Sequence, residues 1–492
     1  MREASGPANQ LRKNWLCTWS LALASCVSLA SPGFLAAADP EPISAIVSLE
    51  KAVVDSIAKC ERSVVAIARG RRGQREELLS RDYIPQEFAT GVVVDRRGYI
   101  LTNYHVLGDP ERSDYAVWVA GKAYPVKEVQ ARKNVTAADP WSDLAILKIE
   151  APELVPIPFG DGSAVKKGQF VLALGNPYAI ARDGQPSASW GIIANLSRKA
   201  APNPNPGDNS PAGKETMHHY GTLLHTDARL NQGTSGGALL NLKGEMIGLT
   251  TSVAAAPGFE QAAGFAIPVD DTFKRIVDDL KAGREVAYGF LGVRLEGPER
   301  AGIRFPADLT GAFVVAVYPG TPAARSGLVA GDIITHLDRR PVQDADSLIL
   351  NVGRLPVGRE VTVRIRRGNQ EMDRPLFLSK KPPSSDRPVI ASVVDPAWRG
   401  MRVDYSTAIS NLIQHSINGD LDPRGCVAIV SVDLNSTAWK AGLRPGMFIS
   451  EVEGKRMTMP EDFFKAVASL PGAIKIRLTQ PITNSDLCIV PP

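Results

Sequence analysis

The chain has 492 residues, which is too long for one hydrophobic core and suits about three domains of ordinary size. Its 56 Lys and Arg against 52 Asp and Glu leave a formal charge of only +4, and 22% charged with 44% hydrophobic residues is the balance of a globular protein. No basic run is long enough to argue for nucleic acid, since the densest, RGRRGQREE at 69–77, is followed at once by its own acids and reads as a solvated loop.

The first segment has the layout of an export signal. Arg12 and Lys13 precede an apolar stretch from Trp15 to Ala30, and Ala36-Ala37-Ala38 stand just before DPEP. Residues 1–38 are therefore expected to be a signal peptide cut after Ala38. LASC at 23–26 offers a second reading, a lipoprotein cut that would leave a lipidated Cys26 and so bring the protein to a membrane, although the residues after it are apolar rather than a polar tether. A retained anchor ranks third, because Pro32 and Gly33 interrupt the apolar run. Of five cysteines, Cys17 and Cys26 fall inside the signal. Cys60, Cys426 and Cys488 remain, an odd number that makes no disulfide framework and leaves a Cys426–Cys488 pair open. Neither a CxxC nor an HExxH spacing occurs, so no metal site is expected, and no other cofactor.

Over residues 55–270 short runs rich in Val, Ile and Leu alternate with Gly, Asp, Asn and Pro: SVVAIARG, TGVVVDRRGYILTNYHV, DYAVWVAG, SDLAILKIE, QFVLALGNP, ASWGIIANLSRK, EMIGLTTSVAA and GFAIP. Many short strands with turn signals between them predict an antiparallel sandwich or barrel. The stretch 199–220 has the Pro, Asn and Gly content of an exposed loop. Residues 269–283 place Val269, Phe273, Ile276, Val277 and Leu280 at helical spacing with Gly283 as the stop, which predicts a helix leaving the first domain.

An internal repeat follows. TPAARSGLVAGDIITHLDRRPV at 321–342 matches STAWKAGLRPGMFISEVEGKRM at 436–457, pairing Gly327 with Gly442, Leu328 with Leu443 and Gly331 with Gly446. That period is too long for a solenoid and predicts two tandem small domains, with the polar, Pro-rich KKPPSSDRP at 380–388 between them.

Residues 231–240, NQGTSGGALL, set Ser235 among Gly233, Gly236 and Gly237. Small residues ahead of an apolar run are first of all turn punctuation, since Gly supplies backbone angles that a Cβ forbids. A nucleophilic serine needs more: a base to take its proton, an acid to orient that base, and amides aimed at the developing oxyanion. Histidine is scarce, with six in the chain: His105, His218, His219, His225, His336 and His415. His105 closes a strand in GYILTNYHVLGD, and Asp143 lies just ahead of another in DPWSDLAILKIE. Alone, the first reads as a surface or core histidine and the second as a turn cap. Together with Ser235 they stand in the chain order of chymotrypsin-like proteases, inside one predicted all-β unit.

Through GYILTNYHV, SDLAILKI, TDARLNQGTSGGALLN, GFAIP and the two repeats, the chain resembles the HtrA/Deg family of trypsin-like serine proteases with two PDZ domains. The resemblance implies a mainly β fold: a chymotrypsin-like double β-barrel followed by two small α+β PDZ domains. The expected boundaries are the signal peptide at 1–38, the protease domain at 39–284, the first PDZ domain at 285–380, a linker at 381–390 and the second PDZ domain at 391–492. It also implies a His105–Asp143–Ser235 triad, with Gly233, Thr234 and Ser235 as the oxyanion loop. The family usually has Asn where Thr234 stands. In the first repeat Leu291, Gly292 and Val293 of YGFLGV would hold a peptide carboxylate, whereas the second repeat has Arg399 at the matching place in AWRGMRV. The stretch 250–268 becomes the substrate-facing wall, its small apolar residues suiting cleavage after Val or Ala. The loop between VAIARG and TGVVVD is short, which counts against large cages, and a homotrimer is what the resemblance implies. The expected function is an exported, ATP-independent endopeptidase for unfolded or damaged envelope polypeptides, fed or regulated by apolar C-terminal peptides, with no nucleic-acid partner. A holding chaperone or PDZ scaffold with secondary proteolysis is the alternative.

Overall fold

The computed structural model describes residues 42–85, 87–127, 135–176, 185–200, 216–251, 264–296, 310–384, 387–394, 397–468, 470–479 and 487–492. The expected signal peptide, the rival lipoprotein cut and the retained-anchor segment lie outside them.

Helix α1 (Pro42–Cys60) opens the described chain and was not expected. Val53, Ile57 and Cys60 recur at helical spacing and pack on the core, but apolar residues also occur off that face, as at exposed Val54, and blur the pattern. Strand β1 (Val64–Arg71), a short helix α2 (Arg75–Leu78), β2 (Glu87–Asp95), β3 (Tyr99–Asn103), β4 (Ser113–Val119), β5 (Lys122–Pro125), β6 (Ala137–Asp139) and β7 (Leu144–Lys148) follow. These seven strands form an antiparallel sheet ordered β6-β7-β3-β2-β1-β4-β5. A second set, β8 (Phe170–Gly175), β9 (Ser187–Arg198), β10 (Leu223–Thr226), β11 (Ala238–Leu240), β12 (Met246–Thr251) and β13 (Gly264–Pro268), closes into a barrel. Helix α3 (Asp271–Lys281) comes next, with the Asp270 carboxylate accepting from the Phe273 amide and Phe273, Ile276, Val277 and Leu280 buried, as their spacing predicts.

The strands of the first sheet read as unbroken apolar runs because both faces are covered. Along β3, Ile100 faces a core with Val65, Val93 and Leu147, while its neighbour Leu101 faces the core between the two units with Ile146, Leu172 and Leu249.

The two sequence repeats share one topology. The first has β14 (Gly289–Phe290), β15 (Val293–Glu296), β16 (Ala312–Val317), α4 (Pro322–Arg325), β17 (Ile333–Leu337), β18 (Arg340–Pro341), α5 (Ala345–Arg354), β19 (Glu360–Arg367), β20 (Gln370–Phe377) and β21 (Ser379–Lys380). Its sheet runs β15-β16-β17-β19-β20. After β22 (Ile390–Ala391), the second has β23 (Met401–Tyr405), α6 (Leu412–Ile417), β24 (Val427–Val432), α7 (Thr437–Lys440), β25 (Phe448–Val452), β26 (Lys455–Arg456), α8 (Pro460–Val467), β27 (Ile474–Leu478) and β28 (Leu487–Val490). Its sheet runs β23-β24-β25-β27-β28, the same path. Here one face is wet: along β19, Val361, Val363 and Ile365 are buried and their neighbours are not.

Two departures from the sequence reading matter, and one question it left open is answered. Strand β22, from the end of the segment read as a polar linker, pairs with β6 as Ile390 with Ala138 and becomes the edge of the protease sheet. The loop read as exposed at 199–220 ends in Met217, His218 and His219, all buried, its residues 201–215 lying outside the described ones. Cys60, Cys426 and Cys488 are all free and buried, so the possible Cys426–Cys488 bond is not formed; the two sit in different apolar clusters.

Candidate active site

Register brings the first two residues together. Asn103 pairs with Leu144 at the end of β3 and β7, so the chain just beyond Asn103 meets the chain just before Leu144 at the same edge of the sheet. His105 sits there in a 3-10 turn (Tyr104–Leu107), and the Tyr104 amide donates to the Asp143 carbonyl over 2.9 Å. Asp143 is fully buried and its φ of +56 lies in the left-handed region, which Asp tolerates better than most residues.

The Asp143 carboxylate is held from three sides. The His105 backbone amide donates to Oδ1 over 3.0 Å, the His105 ring Nδ1 lies 3.1 Å from Oδ1 and 2.9 Å from Oδ2, and the Thr251 hydroxyl donates to Oδ2 over 3.3 Å. Burial alone would raise this carboxyl's pKa, but the adjacent His105 charge and its hydrogen bonds outweigh burial and hold the group below the usual carboxylate value. With Nδ1–H given to Asp143, Nε2 is left as the ring's proton acceptor.

Ser235 precedes β11 in a turn that only glycine can make. Gly233 has φ +94 and Gly236 has φ +85. A Cβ at Gly236 would stand 2.1 Å from the Thr90 carbonyl oxygen, and one at Gly233 would stand 2.6 Å from the Asn176 carbonyl oxygen. Thr90 on β2 anchors the turn: its amide donates to the Ser235 carbonyl over 2.9 Å, and its hydroxyl donates to the Gly233 carbonyl over 2.7 Å. Thr102 on β3, three residues before His105, donates its hydroxyl to the Thr90 carbonyl over 2.8 Å. The Ser235 turn is therefore pinned to the strand that delivers His105. Thr234 is spent within the loop, its amide and hydroxyl donating to the Asn231 carbonyl over 3.1 and 2.7 Å. Of the expected substrate-facing wall, residues 252–263 lie outside the described ones.

In the first repeat Leu291 is buried and its carbonyl accepts from Ala323 over 2.9 Å. Gly292 has φ +87 and lies so close to Thr321 that a Cβ would come within 2.2 Å of it. Val293 then starts β15, an edge strand among the described residues. The second repeat mirrors this backbone, with Gly400 at φ +82 against Ser436. Its Arg399 is turned to internal use: the guanidinium donates to the carbonyls of Gly472 over 2.6 Å and Val490 over 2.8 Å and covers the Trp398 ring at 4.6 Å.

Sequence reasoning missed the supports around Asp143. The Asp139 carboxylate accepts from the Ser142 amide over 2.8 Å and from the Tyr288 hydroxyl. His218 bonds the Ser142 carbonyl through Nε2 over 2.8 Å and the Thr222 hydroxyl through Nδ1 over 2.6 Å. The only sequence signal was the pairing of two Asp residues in DPWSD.

Two closely packed β units that meet at the edge carrying His105 and Asp143, then two repeats of one small topology, define a trypsin-like peptidase followed by PDZ-type domains. Residues 89–249 match the trypsin-like peptidase domain and residues 289–374 the PDZ domain. The chain is 30% identical over 391 residues to a probable periplasmic serine endoprotease DegP-like of Pseudomonas fulva, covering 78% of this chain and 74% of that one. It is 27% identical over 414 residues to the periplasmic serine endoprotease DegP of Salmonella typhimurium, covering 83% and 76%. Among solved structures, the HtrA-type protease AlgW with tripeptide shares the fold with a TM-score of 0.52 at 24% identity, over 67% of this chain and 98% of that one. The chain belongs to the HtrA/DegP family of periplasmic serine endoproteases.

Proposed function

We propose that His105, Asp143 and Ser235 form the catalytic triad of this periplasmic endopeptidase. The observation that carries the reading is the paired contact of His105 Nδ1 with both oxygens of a fully buried Asp143. Asp143 holds the tautomer and stabilises the imidazolium; His105 Nε2 takes the Ser235 hydroxyl proton as Oγ attacks the scissile carbonyl. The same proton then goes to the departing amine, and water hydrolyses the acyl-enzyme with His105 again as base. The Gly233 and Ser235 amides line the oxyanion hole, with Thr234 between them contributing its backbone turn.

The substrates proposed are unfolded or damaged envelope polypeptides. Their apolar C-termini add a strand along β15 while the Leu291–Val293 amides hold the carboxylate, a reading supported by the edge position of β15 among the described strands and the left-handed Gly292. Arg399 leaves the second repeat with a weaker peptide site, and assembly as a trimer follows the family. Mature chain and its Ser235→Ala variant, each incubated with unfolded casein, test the reading: cleavage by the first alone supports it, whereas aggregation protection by both without cleavage would make the protein a holding chaperone.

A further inference from the structure

Within Asp139–Asp143, Asp139, Trp141 and Ser142 are tied to distant parts of the chain, and Tyr288 and Gly353 supply the ties from the first repeat. Tyr288 lies three residues before Leu291, at the root of the loop proposed to hold peptide carboxylates, and β14 between them is fixed by pairing with β21. Its hydroxyl donates to Asp139 Oδ2, the same oxygen that accepts from the Ser142 amide and so closes the turn ahead of Asp143. Its ring meets Trp141 edge-on at a centroid distance of 4.5 Å. On the other side Trp141 presses on α5 where Gly353 has no side chain; a Cβ there would stand 2.3 Å from the indole. The far face of the loop is held by the protease unit itself, through Met217 N–H to the Trp141 carbonyl and His218 to the Ser142 carbonyl, both 2.8 Å.

We infer that Tyr288 is a positioning residue for the protease site: through the Asp139 carboxylate and the Trp141 ring it fixes the turn that carries Asp143, so the first repeat and the catalytic carboxylate share one hydrogen-bonded support. The chemistry makes this support sensitive. Asp139 and Tyr288 are both buried, and burial is the chief reason each holds its proton more tightly than usual. Removing one partner strands the other, which costs more than the hydrogen bond contributes on its own. A turn holding Asp143 at φ +56 has little slack, so loosening it tilts the carboxylate that orients His105.

The coupling of peptide occupancy to this support rests on the first repeat being a peptide site, as proposed above; the positioning role does not. Tyr288→Phe in the full mature chain keeps the ring and removes the hydroxyl. Cleavage of a reporter peptide should show kcat lowered roughly tenfold with KM unchanged. The downfield proton signal of His105 Nδ1–H should shift in parallel, a readout that simple loss of stability would not move. Asp139→Asn should reproduce both effects and serves if Tyr288→Phe does not fold. A folded variant with the kcat and Nδ1–H signal of the parent overturns the inference. Adding a free-carboxylate apolar peptide separates the two readings: activation of the parent and a smaller activation of Tyr288→Phe supports coupling, equal activation refutes coupling, and activation of neither removes the peptide-sensor reading while kcat still decides the positioning role.

Discussion

The Tyr104 hydroxyl donates to the carbonyl of Pro388 over 3.1 Å, so the residue next to His105 is tied to the segment between the two repeats. Arg387 covers the same tyrosine ring at 5.0 Å, and two residues past Pro388, Ile390 enters the core of the first sheet. The segment is a structural member of the protease unit rather than a tether. Ile390→Ala should therefore cost about 3 kcal/mol, the usual range for emptying a buried apolar site, and should open the segment to limited proteolysis. Equal melting temperatures for parent and variant would contradict the burial.

The proposed nucleophile and base would act as one unit, so Ser235→Ala and His105→Ala should each lower kcat by about 10⁴-fold or more, and the double variant should be no worse than either. Additive losses, measured with a sensitive peptide substrate, would contradict the triad.

Gly236→Ala should inactivate the enzyme while Ser235 remains. The new methyl would meet the Thr90 carbonyl at 2.1 Å, and the φ of +85 would itself cost roughly 1–2 kcal/mol for a residue with a Cβ. Wild-type turnover in this variant would mean that the Ser235 turn is not built as described.

Acid stability should carry the mark of His218. Burial is the main cause that lowers its pKa to about 4, from an ordinary value of 6.5. The unfolded chain binds this proton first as pH falls, so stability is full above about 6.5 and declines as pH drops towards about 4, by up to about 3 kcal/mol from this group. Replacing His218 with Gln keeps an N–H donor and removes the titration. Denaturant unfolding across that range should give the variant a slope shallower by one proton; parallel curves would contradict a buried neutral ring.

Much of this was legible in the sequence because local chemistry and tertiary role coincide. The alternating runs marked the strands, the spacing of Phe273, Ile276, Val277 and Leu280 marked α3, and the glycines around Ser235 marked a turn whose φ values only glycine accepts without strain. What stayed hidden depends on partners distant in the chain. Nothing local in KKPPSSDRP says that the next residues will complete a sheet edge at Ala138, and nothing in the Pro- and Asn-rich stretch before His218 says that its ring will be buried. The supports from Tyr288 to Asp139 and from His218 to Ser142 join positions 149 and 76 residues apart, beyond the reach of any periodicity.

Among the described residues the three cysteines, Cys60, Cys426 and Cys488, lie in the interior without a disulfide. Burial raises the pKa of each, which keeps them as thiols rather than reactive thiolates. In an oxidising compartment the native fold thereby withholds these three thiols from a passing oxidant without pairing them in a disulfide. The hazard is confined to the unfolded chain, where the same three groups become cross-linking points, so a heat-stressed population of this enzyme has a covalent route out of solution that its native fold keeps shut.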